Sequence, residues 1–172
     1  MYFPNIAPRD ANTSHGNKNL GDLPEWDLND LYEGEDAPQL TNDLQWLEGE
    51  CAQFAQDYQN KLATLHADEL LSCIHRNEKI SAIAGRIMSF AGLRYYQMTT
   101  DSNRAKFMSD AQEKITNFTT PLVFFTLEIN RLDDGYLDTR FVRNKELARY
   151  KPVFDKIRAM KPYQLPAWLA HF

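Results

Sequence analysis

The sequence predicts an all-α protein, built as an antiparallel bundle of long helices. Two observations predict this fold class. Apolar residues recur at intervals of three and four over long stretches, which places them on one face of an α-helix, and the connections between these stretches are short. With 172 residues, of which 43% are apolar, the chain can bury the core of a single domain.

The charge, the hydropathy and the cysteine content limit the classes of function that this sequence suits. Nineteen Lys and Arg face 24 Asp and Glu, a net charge of -5, and the basic residues are dispersed, so we expect no nucleic-acid partner. No apolar run approaches the ~20 residues that cross a bilayer, so we expect no membrane span.

Cys51 and Cys73 are the two cysteines, and isolated thiols favour packing roles in a reducing compartment, with a bond between them as the alternative. The N-terminus lacks a secretory pattern, and we expect a cytoplasmic protein.

The first residues divide into a leader and a small packed element. Residues 1–21 combine Pro and Gly with Asn, Ser and Thr and show no apolar periodicity, so we expect a flexible leader, with the helical unit spanning 22–172. Asp27 is placed to cap a short turn in which Leu28 and Leu31 share a face with Trp26. The sequence therefore predicts a small packed cluster with an aromatic residue before the first long helix.

Two long helices are predicted next, at about 37–62 and 67–98. Pro38 suits the first turn of the earlier helix, whose acidic residues Asp43, Glu50 and Asp57 we expect on the solvent side. The predicted inner stripe of the first helix is Leu40, Leu44, Leu47, Cys51, Phe54, Tyr58, Leu62 and Leu65. That of the second is Leu70, Ile74, Ile80, Ile83, Ile87, Met88 and Ala91.

The end of the second helix carries the candidate site residues. Tyr95, Tyr96 and Gln97 are candidates for a surface that faces a binding channel, and core packing of the aromatic rings is the alternative. Thr100 or Asp101 is expected to cap the next helix.

The stretch from Asp101 to Leu132 predicts one long helix at the centre of the bundle. Its apolar residues follow intervals of 3 and 4 throughout. Residues 121–127 are apolar on nearly all sides, so we expect this part to be covered on more than one face, and Phe125 to lie in the core. The stripe consists of Met108, Ala111, Ile115, Phe118, Leu122, Phe125, Ile129 and Leu132.

The remaining sequence predicts a short amphipathic piece at 135–142, a last helix at about 146–160 and an amphipathic tail. In the tail, Leu165, Trp168, Leu169 and Phe172 would form one apolar helical face. No cap closes this segment, so we expect the helical unit to be cut at its C-terminal end and to self-associate through the exposed tail.

The sequence offers no catalytic set. Its histidines are His15, His66, His75 and His171, and none forms the His-Glu-x-x-His arrangement that binds catalytic zinc. We therefore assign no catalytic, metal or cofactor-binding residue, and we interpret His66 and His75 as capping or solvated residues. The acidic run at 133–138 is interpreted as the end of one helix and the start of the next, with a calcium loop as the alternative.

Four stretches together resemble oligoendopeptidase F, a zinc metallopeptidase of the thimet-oligopeptidase group. The first is the opening signature, which reads Leu23-Pro24-Glu25-Trp26-Asp27-Leu28-Asn29-Asp30-Leu31-Tyr32. The second contains Ser89-Phe90-Ala91, Tyr95 and Thr99-Thr100-Asp101. The third is Leu122-Val123-Phe124-Phe125-Thr126-Leu127-Glu128-Ile129-Asn130 with Leu132-Asp133-Asp134. The fourth is Leu147-Ala148-Arg149-Tyr150 with Lys161-Pro162.

This resemblance covers roughly residues 23–165 and implies the N-terminal lobe of a larger helical peptidase. In that family two helical lobes surround a channel in which zinc-dependent hydrolysis of short peptides takes place, and the zinc and the catalytic residues lie in the C-terminal part. The chain is then a non-catalytic fragment that forms part of the channel wall and lacks its C-terminal catalytic partner. The alternative is a stand-alone helical module for protein interaction.

Overall fold

The computed structural model describes residues 27–159 and 161–163, and these residues form helices without any β-strand. The predicted all-α bundle is thus confirmed. The α-helices are α1 (Pro38–Tyr58), α2 (Ala67–Gln97), α3 (Ser102–Thr119), α4 (Val123–Arg131), α5 (Asp134–Arg143), α6 (Lys145–Ala148) and α7 (Lys151–Arg158). Short 3₁₀ turns lie at Leu62–Thr64, Thr120–Leu122 and Lys161–Tyr163.

The core lies where α1, α2 and α3 pack together. The connections at 59–66 and 98–101 are short, so each helix returns along its predecessor. The predicted stripes supply most of the buried side chains, and Leu71, Cys73 and Phe90 of α2 add to them. Asp101 caps α3, as predicted, because its carboxylate accepts the backbone N–H groups of Asn103 and Arg104.

The predicted long helix from 101 to 132 is wrong in one respect, because it is interrupted at Pro121. Pro121 has no backbone N–H to donate, and its ring crowds the preceding turn. The hydroxyls of Thr119 and Thr120 also bond back to backbone carbonyls, at 2.7 Å from Ile115 O and Thr116 O respectively. Residues 120–122 therefore tighten into a 3₁₀ turn between α3 and α4.

The expectation that residues 121–127 are covered on several sides is also wrong for the described chain. Phe124 and Phe125 are buried, but Val123 is 61% exposed and Leu127 is 37% exposed. The helix packs on α7 and on the 3₁₀ turn at Leu62–Thr64, and no described element covers the opposite face.

The last predicted helix is divided in two. Asn144 caps α6 by accepting the N–H groups of Glu146 and Leu147, both at 2.9 Å. Helix α6 ends at Ala148, and the chain becomes helical again in α7. Pro152 lies in the first turn of α7, where its missing backbone N–H is tolerated. The leader at 1–21, Trp26 and the tail at 165–172 lie outside the described residues, so their predicted behaviour, including self-association, stays a prediction.

Candidate functional site

A turn at residues 28–32 anchors the first described segment to the bundle. Leu28 O accepts hydrogen bonds from the N–H groups of Leu31 (2.9 Å) and Tyr32 (3.1 Å). Asp27 Oδ1 accepts the Asn29 N–H at 2.9 Å, which is the capping role that the sequence predicts. The turn thereby directs the Tyr32 side chain into the core, where it is fully buried and its ring meets that of Phe90 edge-on at 5.4 Å.

The Tyr32 hydroxyl joins a charged network between α1 and α2. It donates to Asp43 Oδ2 at 2.7 Å and accepts from Arg86 Nε at 3.0 Å. Arg86 also pairs directly with Asp43 through Nη2, and its guanidinium lies 4.9 Å from the centre of the Tyr32 ring. Burial, together with the hydrogen bond to Asp43, raises the pKa of Tyr32 to about 12. The phenol therefore stays neutral near pH 7 and can act as the donor.

A second network follows along the same interface. Arg76 Nε donates to Glu50 Oε1 and its Nη1 donates to Asp57 Oδ2, each at 2.7 Å. The guanidinium also lies 5.7 Å from the centre of the Phe54 ring and 5.3 Å from that of Tyr58. These contacts correct the prediction that the acidic residues of α1 face solvent. Asp43, Glu50 and Asp57 are spaced by seven residues, so they line one edge of the apolar stripe and meet arginines of α2.

A small cavity of about 190 Å³ lies beside Tyr32. The segment before α1 contributes Asp27, Leu28, Asn29, Tyr32, Glu33 and Gly34 to its lining. Helix α2 contributes Phe90, Arg94 and Gln97. The lining thus combines two carboxylates, a guanidinium and two side-chain amides with two aromatic residues.

Arg94 is the charged group on the α2 side of the cavity. Its Nη1 donates to Gln97 Oε1 at 3.0 Å. Its buried Nε forms an ion pair with Glu35, whose Oε1 lies 3.5 Å away, and makes no hydrogen bond among the described residues. Arg104 of α3 also connects to this residue, because its Nη1 donates a hydrogen bond to Arg94 O at 3.2 Å. The guanidinium of Arg94 is therefore held in place by Gln97 and by its ion pair with Glu35.

The three candidate channel-facing residues lie in the last turn of α2 and differ in exposure. Gln97 lines the cavity, whereas Tyr95 is half-buried and Tyr96 is 66% exposed. The two tyrosine rings pack on each other at 5.4 Å. Of the three, only Gln97 is placed beside charged groups by the described structure.

The described residues hold no histidine pair suited to zinc. His66 is the N-cap residue of α2, with its N–H donated to Glu69 Oε2 at 2.7 Å. His75 is exposed, and its Nε2 lies 3.5 Å from Glu146. No group of three or more His, Cys, Asp or Glu within the described part could hold a metal ion. At the acidic run, Asp133 caps α5, as the interpretation of a helix restart predicts.

The sequence reasoning missed Tyr32, Arg86 and Arg94 as site residues. One signal could have found the charged pairs. Arg76 and Arg86 lie within a predicted amphipathic helix while Asp43, Glu50 and Asp57 recur every seven residues on its neighbour, so the opposite charges suit one helix interface. The position of Arg94 beside the turn at 28–32 depends on the tertiary fold, and the sequence carries no comparable signal for it.

Both cysteines are free, buried thiols. Burial raises the pKa of Cys51 to about 11 and that of Cys73 to about 12. The reactive thiolate is therefore nearly absent at neutral pH. This environment agrees with the predicted packing role.

We expect the native protein to be inert to a thiol reagent such as Ellman's reagent at pH 8, because both thiols are inaccessible and protonated. In a denaturant that unfolds the chain, two thiols should react rapidly, which serves as the control. Rapid reaction of either cysteine without denaturant would contradict the packing that places Cys51 and Cys73 in the core.

The comparisons with known proteins gave one match. Residues 128–168 match the family model described as Oligopeptidase F, which belongs to a metallopeptidase family. In the described structure this region runs from the end of α4 to the 3₁₀ turn at Lys161–Tyr163, and it includes part of the third stretch and all of the fourth stretch that resemble oligoendopeptidase F. The resemblance is thus confirmed over these residues.

The other two comparisons found nothing. Neither a curated protein nor a solved structure matches the chain. Separately, the helices of the described part include none that is both long and apolar enough to span a membrane.

Proposed function

We propose that this chain, in which residues 128–168 match oligopeptidase F, is part of the N-terminal lobe of a zinc-dependent oligoendopeptidase that hydrolyses short peptides. The match carries the proposal, since it identifies a peptidase family and therefore peptide substrates. In this proposal the helical lobe forms part of the wall of the substrate channel, and Tyr95, Tyr96 and Gln97 are candidates to face it.

The lobe is proposed to be non-catalytic by itself. A catalytic zinc needs three protein ligands and one open position. The described histidines do not fit this requirement, because His66 caps a helix and His75 lies nine residues further on, beside Glu146. Nine residues correspond to two and a half helical turns, a spacing that does not place two ligands on one helical face. The zinc and the general base would therefore come from a C-terminal catalytic part.

We expect the purified chain to bind no stoichiometric zinc and to cleave no peptide. The measurement is elemental analysis after metal-free purification, followed by incubation with an internally quenched fluorescent peptide. Chelator-sensitive cleavage, or one zinc per chain, would contradict the proposal that the catalytic residues lie elsewhere. A zinc oligopeptidase assayed with the same peptide serves as the positive control.

A stand-alone interaction module is the second candidate. The exposed side chains of Val123 and Leu127 favour it, because apolar residues one turn apart on a helix surface are typical of contact surfaces. The genomic reading frame beyond codon 172 distinguishes the two candidates. A continuous frame that encodes His-Glu-x-x-His supports the peptidase, whereas a stop codon directly after Phe172 supports the module.

A further inference from the structure

We propose that one face of α4, formed by Val123, Leu127, Asn130 and Arg131, is the surface on which the C-terminal catalytic part docks. The inference rests on the proposed function, because it takes this chain as one part of a longer peptidase. It goes further by assigning the contact between the two parts to one face of one helix. It also gives the chemistry of the partner surface, which would be apolar and would carry a hydrogen-bond donor and a carboxylate.

The first half of this face is apolar and uncovered. Val123 is 61% exposed and Leu127 is 37% exposed, and they lie four positions apart, so they share one side of the helix. Phe124 and Phe125, by contrast, are buried. The sequence makes this segment apolar on nearly all sides, but the described part of the chain covers only one side of it. An apolar partner surface would cover the other side.

Asn130 gives an independent sign of a partner, about one helical turn after Leu127 on the same side. Its side chain is 1% exposed, and its Nδ2 donates to Thr126 O at 3.0 Å. Its Oδ1 is buried and accepts no hydrogen bond from the described residues. A buried acceptor without a donor is costly, and native proteins rarely leave one unpaired. A donor on the docked part would complete the hydrogen bonding of this amide.

Arg131 adds a charge at the C-terminal end of the face. It lies four positions after Leu127 and therefore on the same side of α4. The side chain is exposed, and no described residue forms an ion pair or a hydrogen bond with its guanidinium. Such a guanidinium suits a carboxylate, which it can bind through two parallel hydrogen bonds. We therefore expect the partner surface to place Asp or Glu beside Arg131.

The path of the chain favours the part that follows α7 as the occupant of this face. Arg158 of α7 donates from Nη1 to Ile129 O at 3.1 Å and to Leu132 O at 2.6 Å, so the end of α7 lies beside the end of α4. The described residues continue to Tyr163. In a longer peptidase, the polypeptide that follows would thus begin close to α4. A second copy of the chain has no comparable reason to lie there.

An introduced thiol tests the proposal. Val123→Cys places a thiol on the face, and Val142→Cys places one at an 84% exposed position of α5, outside the face. Cys51 and Cys73 are buried and should not compete for the reagent. Each variant is made in the 172-residue chain and in the longer product of its reading frame. The rate of modification by a thiol reagent is then measured at the substituted position by peptide mass spectrometry.

Both variants should react rapidly in the 172-residue chain. In the longer product we expect Val123→Cys to react at least about tenfold more slowly, because the docked part excludes the reagent, and Val142→Cys to keep its rate. Equal rates for Val123→Cys in the two proteins would overturn the proposal. Equal slowing of the two variants would also overturn it, because the protection would then not be specific to α4.

Hydrolysis of the quenched peptide by the longer product separates this proposal from the proposed function. Chelator-sensitive cleavage together with rapid modification of Val123→Cys would support the peptidase and reject the docking surface. A reading frame that stops directly after codon 172 would reject both.

Discussion

Replacing Phe125 with alanine should lower the free energy of unfolding by about 3–5 kcal/mol. Phe125 is only 7% exposed, and its ring meets that of Phe54 edge-on with 5.7 Å between the ring centres. Phe54 is fully buried and also contacts Phe124 and Tyr58. Truncation at Phe125 therefore leaves a void at the centre of an aromatic cluster, and the surrounding helices fill such a void incompletely. Urea denaturation followed by circular dichroism measures the effect.

Val123→Ala is the matched control for this prediction. It lies two positions earlier on the same helix and is largely exposed, so the change should stay within about 0.5 kcal/mol. A loss below about 1 kcal/mol for Phe125→Ala would place Phe125 outside the core and would contradict the packing of α4 against α1.

Arg86→Met is the second substitution with a large expected effect, about 2 kcal/mol of destabilisation. Methionine keeps most of the apolar stem but leaves Asp43 and the Tyr32 hydroxyl without their guanidinium donor. Breaking a fully buried pair costs roughly 3–5 kcal/mol, and the partial exposure of Arg86 reduces this figure because water can solvate the remaining charge. The same denaturation experiment measures the loss.

A surface pair and a mutant cycle provide the controls for Arg86→Met. Lys106 and Asp110 form an exposed pair at 3.6 Å on α3, so Lys106→Met should change stability by no more than about 0.5 kcal/mol. Combining Arg86→Met with Tyr32→Phe should give a coupling energy above about 0.5 kcal/mol, because the two side chains share one network. Strict additivity of the two changes would show that the network does not act as a unit.

The helices could be predicted because their causes are local. In α1 and α2, apolar residues recur every three or four positions and therefore lie on one face of each helix. At the start of α3, Asp101 provides the cap. The termini of α2 were predicted to within one residue. The break at Pro121 was also encoded locally, but the apolar stripe that continues past it suggested a longer helix than the backbone of proline allows.

The charged interface depended on the tertiary structure. A carboxylate at the edge of a stripe can face either solvent or a neighbouring helix, and only the packing of α1 on α2 decides between them. Asp43 and Glu50 are half-buried because Arg86 and Arg76 lie opposite, and such long side chains can reach across an interface while covering apolar rings.

The cavity shows the same division between sequence and tertiary structure. The sequence by itself determined the cap at Asp27 and the helix α2 in which Phe90 lies. The fold alone decided that Glu33 and Arg94, about sixty residues apart, border the same small space. The physical reason is that periodicity and capping act within a few residues of the chain, whereas the position of a charge across a cavity depends on how whole helices pack.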